Sequence, residues 1–283
     1  MPDAVPEAGG GVVPDAVPDA GPDAVRGAVP DAVPDAVRRA VPDAVAAEVA
    51  AGVATRRRAA AQVLVEDPAH PVLDPLDAHH LGRVLRLGAG EAVVATDGRG
   101  RWASCRYTTG GTLEQEGPVE LEPAASPTLT VAFAPVTAER PDWVVQKLTE
   151  LGVDRIVVLS TARSVVRWEP ARARAVLARL RRVAAEAAAQ SRRVWLPEVT
   201  GVVGLGALER SGTALAEPGG GPLDPRVTGI AVGPEGGWSP EELAAGRPTV
   251  GLATYVLRAE TAAIAAGVLL GARRAGSVAR RGR

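Results

Sequence analysis

A glycine-rich turn in the last third of the chain is the first candidate for a ligand site. The apolar run Gly229–Val232 leads into residues 233–237, Gly-Pro-Glu-Gly-Gly, and Ser239-Pro240 then begins a helix. Ligands of open α/β sheets bind beyond the carboxyl ends of the strands, where glycine lets a ligand approach the backbone closely. On spacing alone, a cofactor loop and a plain strand-to-helix turn are equally good interpretations.

A second candidate, residues 256–262, couples the end of an apolar run to charged residues at a helix start. The guanidinium of Arg258 suits a carbonyl oxygen or a phosphate, and Glu260 suits the free amides of a first helical turn. The alternative interpretation of this segment is a surface salt bridge with a helix cap.

The sequence lacks the motifs that several common chemistries require. Lys147 is the only lysine and lies outside any Gly-x4-Gly-Lys sequence, which excludes a P-loop, and residues 201–206 depart from the G-x-G-x-x-G spacing and predict a loop. Cys105 is the only cysteine, so neither an intrachain disulfide nor a cysteine-based metal site is possible. His79 and His80 are adjacent and point to different faces of a helix, so we predict no metal site.

The two candidate segments belong to a region in which strands and helices alternate. The pattern predicts strands over residues 129–134, 156–160, 213–216, 229–232 and 249–252, and helices over residues 143–151, 170–190, from 239 onwards, and 259–273. Such alternation predicts an α/β domain with a parallel sheet covered on both faces.

The preceding region is different. Short β-rich runs at residues 63–65, 91–96, 102–107 and 119–122 are separated by turn signals such as Asp97-Gly98 and Gly110-Gly111. They predict a small β-barrel of roughly 70 residues, interrupted by one helix that starts near Asp77.

The N-terminal part repeats a Val-Pro-Asp-Ala tetrad over residues 13–45. A proline at every fourth position removes backbone donors from any helix or sheet, so we predict a disordered tail over residues 1–55, with a short alanine-rich helix within residues 46–62. This tail carries nine acidic residues and three arginines, while the remaining residues hold 29 basic and 24 acidic ones. The folded part is therefore mildly basic, which is compatible with RNA.

Two further properties bear on the cellular compartment. A single cysteine fits a reducing cytoplasm, and the longest apolar candidate for a membrane span, residues 250–270, is interrupted by Arg258 and Glu260. We therefore expect a cytoplasmic protein without a membrane-spanning segment.

Six segments in the same order resemble the RsmE family of 16S ribosomal RNA (uracil-N3) methyltransferases, within the SPOUT superfamily. They are residues 79–87 (HHLGRVLRL) with Gly90-Glu91 and Asp97-Gly98, residues 146–153 (QKLTELGV), residues 190–193 (QSRR), Pro197-Glu198, residues 233–237 (GPEGG) and residues 257–262 (LRAETA).

The resemblance implies a fold, a cofactor and partners. It implies a PUA-like RNA-binding β-barrel over residues 56–125 and a SPOUT α/β domain with a trefoil knot over 126–276. The tail over residues 1–55 has no counterpart in the family, and we expect a flexible basic tail over 277–283. The cofactor implied is S-adenosylmethionine, and the partners are 16S rRNA or the small ribosomal subunit and a second copy of the chain. The reaction implied is methylation at N3 of one uridine.

The resemblance also assigns residues to roles. Cofactor binding falls to Leu215, Glu217, Val232, Gly233, Pro234, Glu235, Gly236, Gly237, Leu252, Val256, Leu257, Glu260 and Thr261. RNA binding falls to Arg57, Arg58, His80, Arg83, Arg86, Arg163 and Arg193. Arg258 is the predicted catalytic residue, because a cation beside the uracil oxygens would stabilise the anion that forms when N3 loses its proton.

The chain departs from the family pattern at three positions. Ala189 stands where a glutamate is common, Ala253 where a glycine is common in the last cofactor loop, and Tyr255 where a basic residue is common. Two alternatives therefore stay open: an RNA- or ribosome-binding protein of this fold with weakened catalysis, and a knotted methyltransferase that acts on tRNA or large-subunit rRNA.

Overall fold

The computed structural model describes residues 43–135, 140–210 and 212–276. The predictions for the repeat over residues 13–42 and for the basic tail over residues 277–283 lie outside these ranges. From Ala46 onwards the chain forms one compact unit, which contains both the β-rich part and the α/β part.

The first helix, α1 (Asp43–Arg58), corrects the predicted end of the tail at residue 55. Its last turns pack on the β-rich part: the guanidinium of Arg56 lies 5.0 Å from the centre of the Trp102 ring and pairs with Glu122 at 2.5 Å. Arg56 is only 2% exposed. The short helix predicted within residues 46–62 therefore starts earlier and belongs to the folded part.

The N-terminal domain is built on a four-stranded sheet in the order β1-β2-β3-β4. Its strands are β1 (Ala61–Leu64), β2 (Ala92–Thr96), β3 (Arg101–Tyr107) and β4 (Leu113–Leu121). β1 pairs with β2 in parallel, and the other pairs are antiparallel. Between β1 and β2 the chain forms α2 (Pro75–His79), which continues as a π-helical turn, His80–Val84, and buries Leu81 in the core of the domain.

The C-terminal domain contains a six-stranded parallel sheet in the order β10-β8-β9-β5-β6-β7. Its elements are β5 (Thr130–Phe133), α3 (Arg140–Glu150), β6 (Arg155–Leu159), α4 (Pro170–Ser191), β7 (Glu198–Val203), β8 (Thr213–Gly221), β9 (Gly229–Val232), α5 (Pro240–Ala244), β10 (Thr249–Val250) and α6 (Ala259–Arg274). The predicted α/β fold with a parallel sheet is confirmed.

The two faces of this sheet are covered unequally. Side chains alternate along each strand, so Val131 and Ile230 join a large core with α3, α4 and α6, whereas Ala132 and Ala231 face the other way. The second face is covered by a short 3₁₀ turn, Leu205–Ala207, and by Trp238.

One strand was missed. β7 includes residues 201–203, which we predicted to be a loop, and it pairs in parallel with β6. The prediction was wrong because Gly201 interrupts the apolar pattern. This glycine has a φ of 127°, and a side chain there would meet the backbone of Val158. β7 therefore requires glycine at position 201, the same residue that made this segment resemble a loop in the sequence.

The trefoil knot stays a prediction, and the path of the last strands supports it. After β9 the chain passes over β8 to the edge of the sheet, where it forms β10. It then returns in α6, which packs against β5 and β9 near the centre of the sheet.

Residues 192–196 follow α4 and contact the N-terminal domain through hydrogen bonds. We call them the junction segment. The guanidinium of Arg192 donates to the backbone carbonyl of Ala59 at 3.0 Å. The backbone N–H of Leu196 donates to the carbonyl of Gly98 at 2.9 Å. The junction segment therefore belongs to the C-terminal domain by sequence and bonds to the N-terminal domain along its backbone.

A small apolar core lies under the same junction. Val194 is buried together with Ala59, Val94 and Trp102, and Trp195 packs against them. Because the residues come from both domains, neither domain can complete this core alone.

Candidate functional site

A cavity of about 380 Å³ lies at the carboxyl ends of the C-terminal strands. Three segments form its wall: residues 216–218 of β8, residues 232–238 after β9, and residues 252–262 leading into α6. Cavities of this volume are typical of small-molecule sites. Its position matches the rule that ligands of parallel sheets bind beyond the carboxyl ends of strands.

Trp238 forms the rigid part of the wall. Its indole is 3% exposed, and the indole N–H donates to the carbonyl of Ala216 at 2.9 Å, which ties the first two wall segments together. A β-carbon placed on Gly233 would lie 3.2 Å from the Trp238 ring. Glycine at position 233 therefore lets the loop pack closely against the indole.

The loop after the glycines is fixed by the next helix. Ser239 caps α5 and forms a reciprocal capping box with Glu242, with bonds of 2.8 and 3.2 Å between each side chain and the other's backbone N–H. The helix start predicted from Ser239-Pro240 is confirmed. A second oxygen of Glu242 accepts from the N–H of Ala162 at 3.0 Å, which links the loop after β6 to the same region.

Three charged residues line the cavity. Glu217 and Glu235 bring two carboxylates, and Arg258 brings one guanidinium. Arg258 is the N-cap residue of α6 and makes no capping hydrogen bond with its side chain. Its backbone fixes the helix start, while its exposed side chain faces the cavity.

Most of the predicted cofactor residues meet at this cavity. Those that line it are Glu217, Val232, Gly233, Pro234, Glu235, Gly237, Leu252, Val256 and Leu257, together with the predicted catalytic Arg258.

Four predicted cofactor residues lie outside the wall. Leu215 is turned to the opposite face of the sheet because side chains alternate along β8, and it packs in the core there. The carbonyl of Gly236 points outward and accepts from Arg163 at 2.9 Å. Glu260 and Thr261 follow Ala259 on α6, and the helix turns them away from the cavity.

Sequence analysis also left out wall residues. Ala259 and Ala262 line the cavity from α6, and their spacing of three residues on a helix is the signal that would have found them. Trp238 had no such signal, because its role depends on its closeness to Gly233 in space. The other unassigned wall residues are Ala216, Pro218, Ala253 and Tyr255.

Six of the seven predicted RNA-binding residues are exposed. Arg57 and Arg58 lie at the end of α1, His80 and Arg83 lie in the π-helical turn, Arg86 follows that turn, and Arg163 lies beside the cavity.

Arg193 has a different role from the predicted one. Its guanidinium donates to the carbonyls of Thr149 and Val153 at 2.8 and 2.9 Å and lies 3.6 Å from a carboxylate oxygen of Asp154. Burial lowers the pKa of Arg193 to about 10, against the opposing effect of Asp154. The side chain holds the connection between α3 and β6 and is not presented to RNA.

Within residues 43–135, 140–210 and 212–276, no group of three or more His, Cys, Asp or Glu side chains could hold a metal ion. None of the helices described there is long and apolar enough to span a membrane.

Comparison with known proteins gives the same domain order. Residues 124–271 match the model of an RNA methyltransferase domain, and residues 73–113 match the model of an RNA methyltransferase PUA domain. A curated relative, the ribosomal RNA small subunit methyltransferase E of Mycobacterium bovis, is 34% identical over 224 residues, which cover 69% of this chain and 83% of the relative.

Solved structures agree with the family models. A probable rRNA methyltransferase from Porphyromonas gingivalis is 27% identical, with a TM-score of 0.64 over 77% of this chain and 100% of that protein. The ribosomal RNA small subunit methyltransferase E of Neisseria gonorrhoeae, bound to S-adenosyl methionine, is 26% identical, with a TM-score of 0.60 over 75% of this chain and 97% of that protein. The chain therefore belongs to the RsmE family of RNA methyltransferases, with an N-terminal PUA domain and a C-terminal SPOUT-type methyltransferase domain.

Proposed function

We propose that this chain transfers a methyl group from S-adenosylmethionine to N3 of one uridine in small-subunit ribosomal RNA. The observation that carries the proposal is the cavity, in which three wall segments meet with Arg258 facing the enclosed space. The name of the curated relative supports the small-subunit target, and the cofactor bound in the Neisseria relative supports the methyl donor.

The residues of the cavity suit this cofactor. The apolar wall residues Val232, Leu252 and Leu257 suit a flat group such as an adenine ring. The carboxylates of Glu217 and Glu235 compensate a positive charge within the cavity. When bound, S-adenosylmethionine supplies a methyl group on a positively charged sulfur, ready for in-line displacement.

Arg258 acts on the other reactant. Uracil N3 must lose a proton whose pKa is close to that of a tyrosine hydroxyl, about 10, before it can attack. A guanidinium that bonds to the uracil oxygens stabilises the resulting anion and makes the proton easier to lose. The exposed position of Arg258 at the cavity leaves its side chain able to meet an entering base.

The proposal includes a homodimer in a reducing cytoplasm. Tyr255 and Val256 support the dimer, because both lie at the cavity and are 85% and 82% exposed, an apolar surface that a second copy would cover. The buried thiol of the single cysteine is compatible with that compartment. Light scattering of the full chain tests the dimer, and a monomeric mass at micromolar concentration would exclude it.

The decisive experiment expresses this chain in a bacterium that lacks its own uridine-N3 methyltransferase and maps modified bases by mass spectrometry. We expect N3-methyluridine to return to the small-subunit RNA. Methylation of tRNA or large-subunit RNA instead would overturn the target. No methylation, together with no binding of labelled S-adenosylmethionine at millimolar concentration, would favour an RNA-binding protein with lost catalysis.

A further inference from the structure

Positive charge is concentrated in one part of a chain whose overall charge is close to zero. The net charge is -1, yet residues 160–193 contain nine arginines and only two glutamates. Most of these arginines lie on α4, whose alanines and leucines form the buried side. Arg192 and Arg193 bond to backbone carbonyls at the junction, so the solvent-facing part of this charge lies on α4 and in the loop before it.

The exposed face of α4 carries the centre of this charge. Arg172, Arg174 and Arg182 are exposed, and none of the hydrogen bonds or ion pairs found in the described ranges involves them. Two neighbours are partly engaged, since Arg179 pairs with Asp142 and Arg181 donates to the carbonyl of Val199. Three guanidinium groups on one helix thus face solvent without an ion-pair partner in the described ranges.

The loop that precedes this helix passes beside the proposed methyl-transfer cavity. β6 ends at the carboxyl edge of the sheet, and the loop that follows it leads into α4. In that loop, exposed Arg163 donates to the carbonyl of Gly236 at 2.9 Å, between two residues that line the cavity. The basic surface therefore starts at the cavity.

The other end reaches the PUA domain. α4 has 22 residues, a length of about 33 Å at 1.5 Å per residue. After it, Arg192 bonds to the carbonyls of Ala59 and Ala60, directly behind exposed Arg57 and Arg58. Exposed arginines therefore occur in the loop beside the cavity, over residues 172–182 of α4 and at the end of α1, while residues 183–191 of α4 carry none. We call this the α4 arginine track.

We propose that the α4 arginine track binds the phosphate backbone of the RNA that flanks the target uridine. This inference rests on the proposed function and adds to it the path of the substrate between the two domains. A row of exposed guanidinium groups binds a polyanion by releasing its counterions, without regard to sequence. The track would thus supply affinity, while the cavity selects the base.

The test replaces the three exposed arginines and measures RNA binding as a function of salt. The variant R172Q/R174Q/R182Q and the wild-type full-length chain are titrated with a fluorescent transcript of small-subunit rRNA. We expect the variant to bind roughly 10- to 100-fold more weakly at low salt. We also expect the slope of log affinity against log salt to fall by about 2, since each lost phosphate contact contributes about 0.7 on a single strand.

A matched control separates a local effect from a loss of net charge. The variant R155Q/R210Q/R226Q also removes three exposed arginines, but these precede β6, β8 and β9 or begin them, at the opposite edge of the sheet from the cavity. We expect it to retain most of the affinity and of the slope. The charge-conserving variant R172K/R174K/R182K should retain most of the slope as well.

Three outcomes would overturn the α4 arginine track. The first is an equal loss of RNA affinity in R172Q/R174Q/R182Q and R155Q/R210Q/R226Q, and the second is a wild-type slope of log affinity against log salt smaller in magnitude than about 2. The third is unchanged RNA binding with a changed oligomeric mass in R172Q/R174Q/R182Q, which would make this face a protein contact. If R172Q/R174Q/R182Q does not fold, the wild-type slope of log affinity against log salt still tests the proposal.

The outcome is independent of the target assignment. RNA binding is measured without the cofactor, so a chain that makes no N3-methyluridine can still bind RNA through the α4 arginine track. Conversely, normal methylation by R172Q/R174Q/R182Q with unchanged binding would reject the track and leave the proposed function intact.

Discussion

Arg258 combines two tasks in one residue. Its backbone carbonyl accepts from the N–H of Ala262 and starts α6, while its side chain makes no capping bond and faces the cavity. A substitution of the side chain should therefore leave the helix start in place. This separation makes Arg258 a clean site at which to test catalysis.

We expect Arg258→Ala to lower turnover by roughly ten- to a thousandfold, because the developing uracil anion loses its cation. Binding of S-adenosylmethionine, measured by calorimetry, should change little. Arg258→Lys should recover part of the turnover, since it restores the charge without the two-pronged hydrogen bonding. Equal losses of turnover and cofactor affinity in the alanine variant would assign Arg258 a structural role.

Substitution of Gly233 tests the packing of the cavity wall. A β-carbon at this position would lie 3.2 and 3.3 Å from two atoms of the Trp238 ring, which is held by its bond to Ala216. We expect Gly233→Ala to lower the free energy of unfolding by about 1–2 kcal/mol through overpacking. Urea denaturation with and without S-adenosylmethionine measures this loss, and the cofactor should stabilise the variant less than the wild type.

Gly236→Ala is the control for Gly233→Ala. Its β-carbon would meet only the side chain of Arg163, at an ordinary 3.6 Å, and Gly236 lies outside the cavity wall. We expect a change in unfolding free energy within about 0.5 kcal/mol. If both alanine variants lose the same stability and the same cofactor response, the close packing of Gly233 on the indole does not shape the cavity wall.

At the scale of elements, α1 separates the described fold from the repeat. Gly52 on this helix lies close to Trp102, and Arg56 is buried between Trp102 and Glu122. The helix therefore belongs to the folded part, although the tail was predicted to extend to residue 55. The boundary has a direct consequence for truncation.

Deletion of residues 1–42 should leave methylation within about twofold, because a proline repeat has no core to contribute. Deletion of residues 1–55 should lower the free energy of unfolding by about 2 kcal/mol or more, since Arg56 loses the helix that positions it over Trp102. Urea denaturation of the two truncated chains compares them directly. Equal stability of both would mean that α1 adds nothing to the fold.

Elements defined by an unbroken local pattern could be predicted from sequence. The apolar run of β9 ends where it was placed, and the Ser239-Pro240 signal marks the start of α5. Three features could not be predicted, because distant residues create them. Gly201 belongs to a strand only where Val158 approaches it, Trp238 matters only where Gly233 faces it, and Arg193 is buried only once α3 and β6 meet around it.

At the scale of the whole molecule, the shared core under the junction segment should couple the stability of the two domains. Cys105 offers a probe, because it is the only cysteine, lies in the core of the PUA domain and is fully buried. Burial raises the pKa of the Cys105 thiol from 9.0 to about 11. Labelling of this thiol therefore requires the domain to open.

We expect S-adenosylmethionine at one hundred times its Kd to slow the labelling of Cys105 by roughly a hundredfold, although the cofactor binds in the other domain. The reason is that opening one domain breaks the core that both share. Labelling with a chromogenic disulfide at pH 8 measures the rate, and Cys105→Ser gives the background. A rate of Cys105 labelling that does not change with the cofactor would show that the PUA domain opens independently of the C-terminal domain.

The same thiol gives a pH dependence with a defined sign. Between pH 9 and 11 the unfolded chain ionises Cys105 while the folded chain keeps its proton. The folded state then binds more protons, so this group's contribution to stability is present below pH 9 and is lost as the pH rises. Cys105→Ser should flatten the fall in stability over this range in urea denaturation, and an unchanged profile would contradict the assignment.

The junction segment also limits how this protein could exchange parts with its relatives. A cut near residue 125 looks natural in sequence, but the backbone that pairs with Gly98 and Gly100 lies far downstream of that cut, at Val194 and Leu196. A chimaera that takes a PUA domain from another member of the family would inherit half an interface. Such transplants should succeed only when residues 192–196 are transferred together with the PUA domain, because these residues form the other half of the backbone contacts.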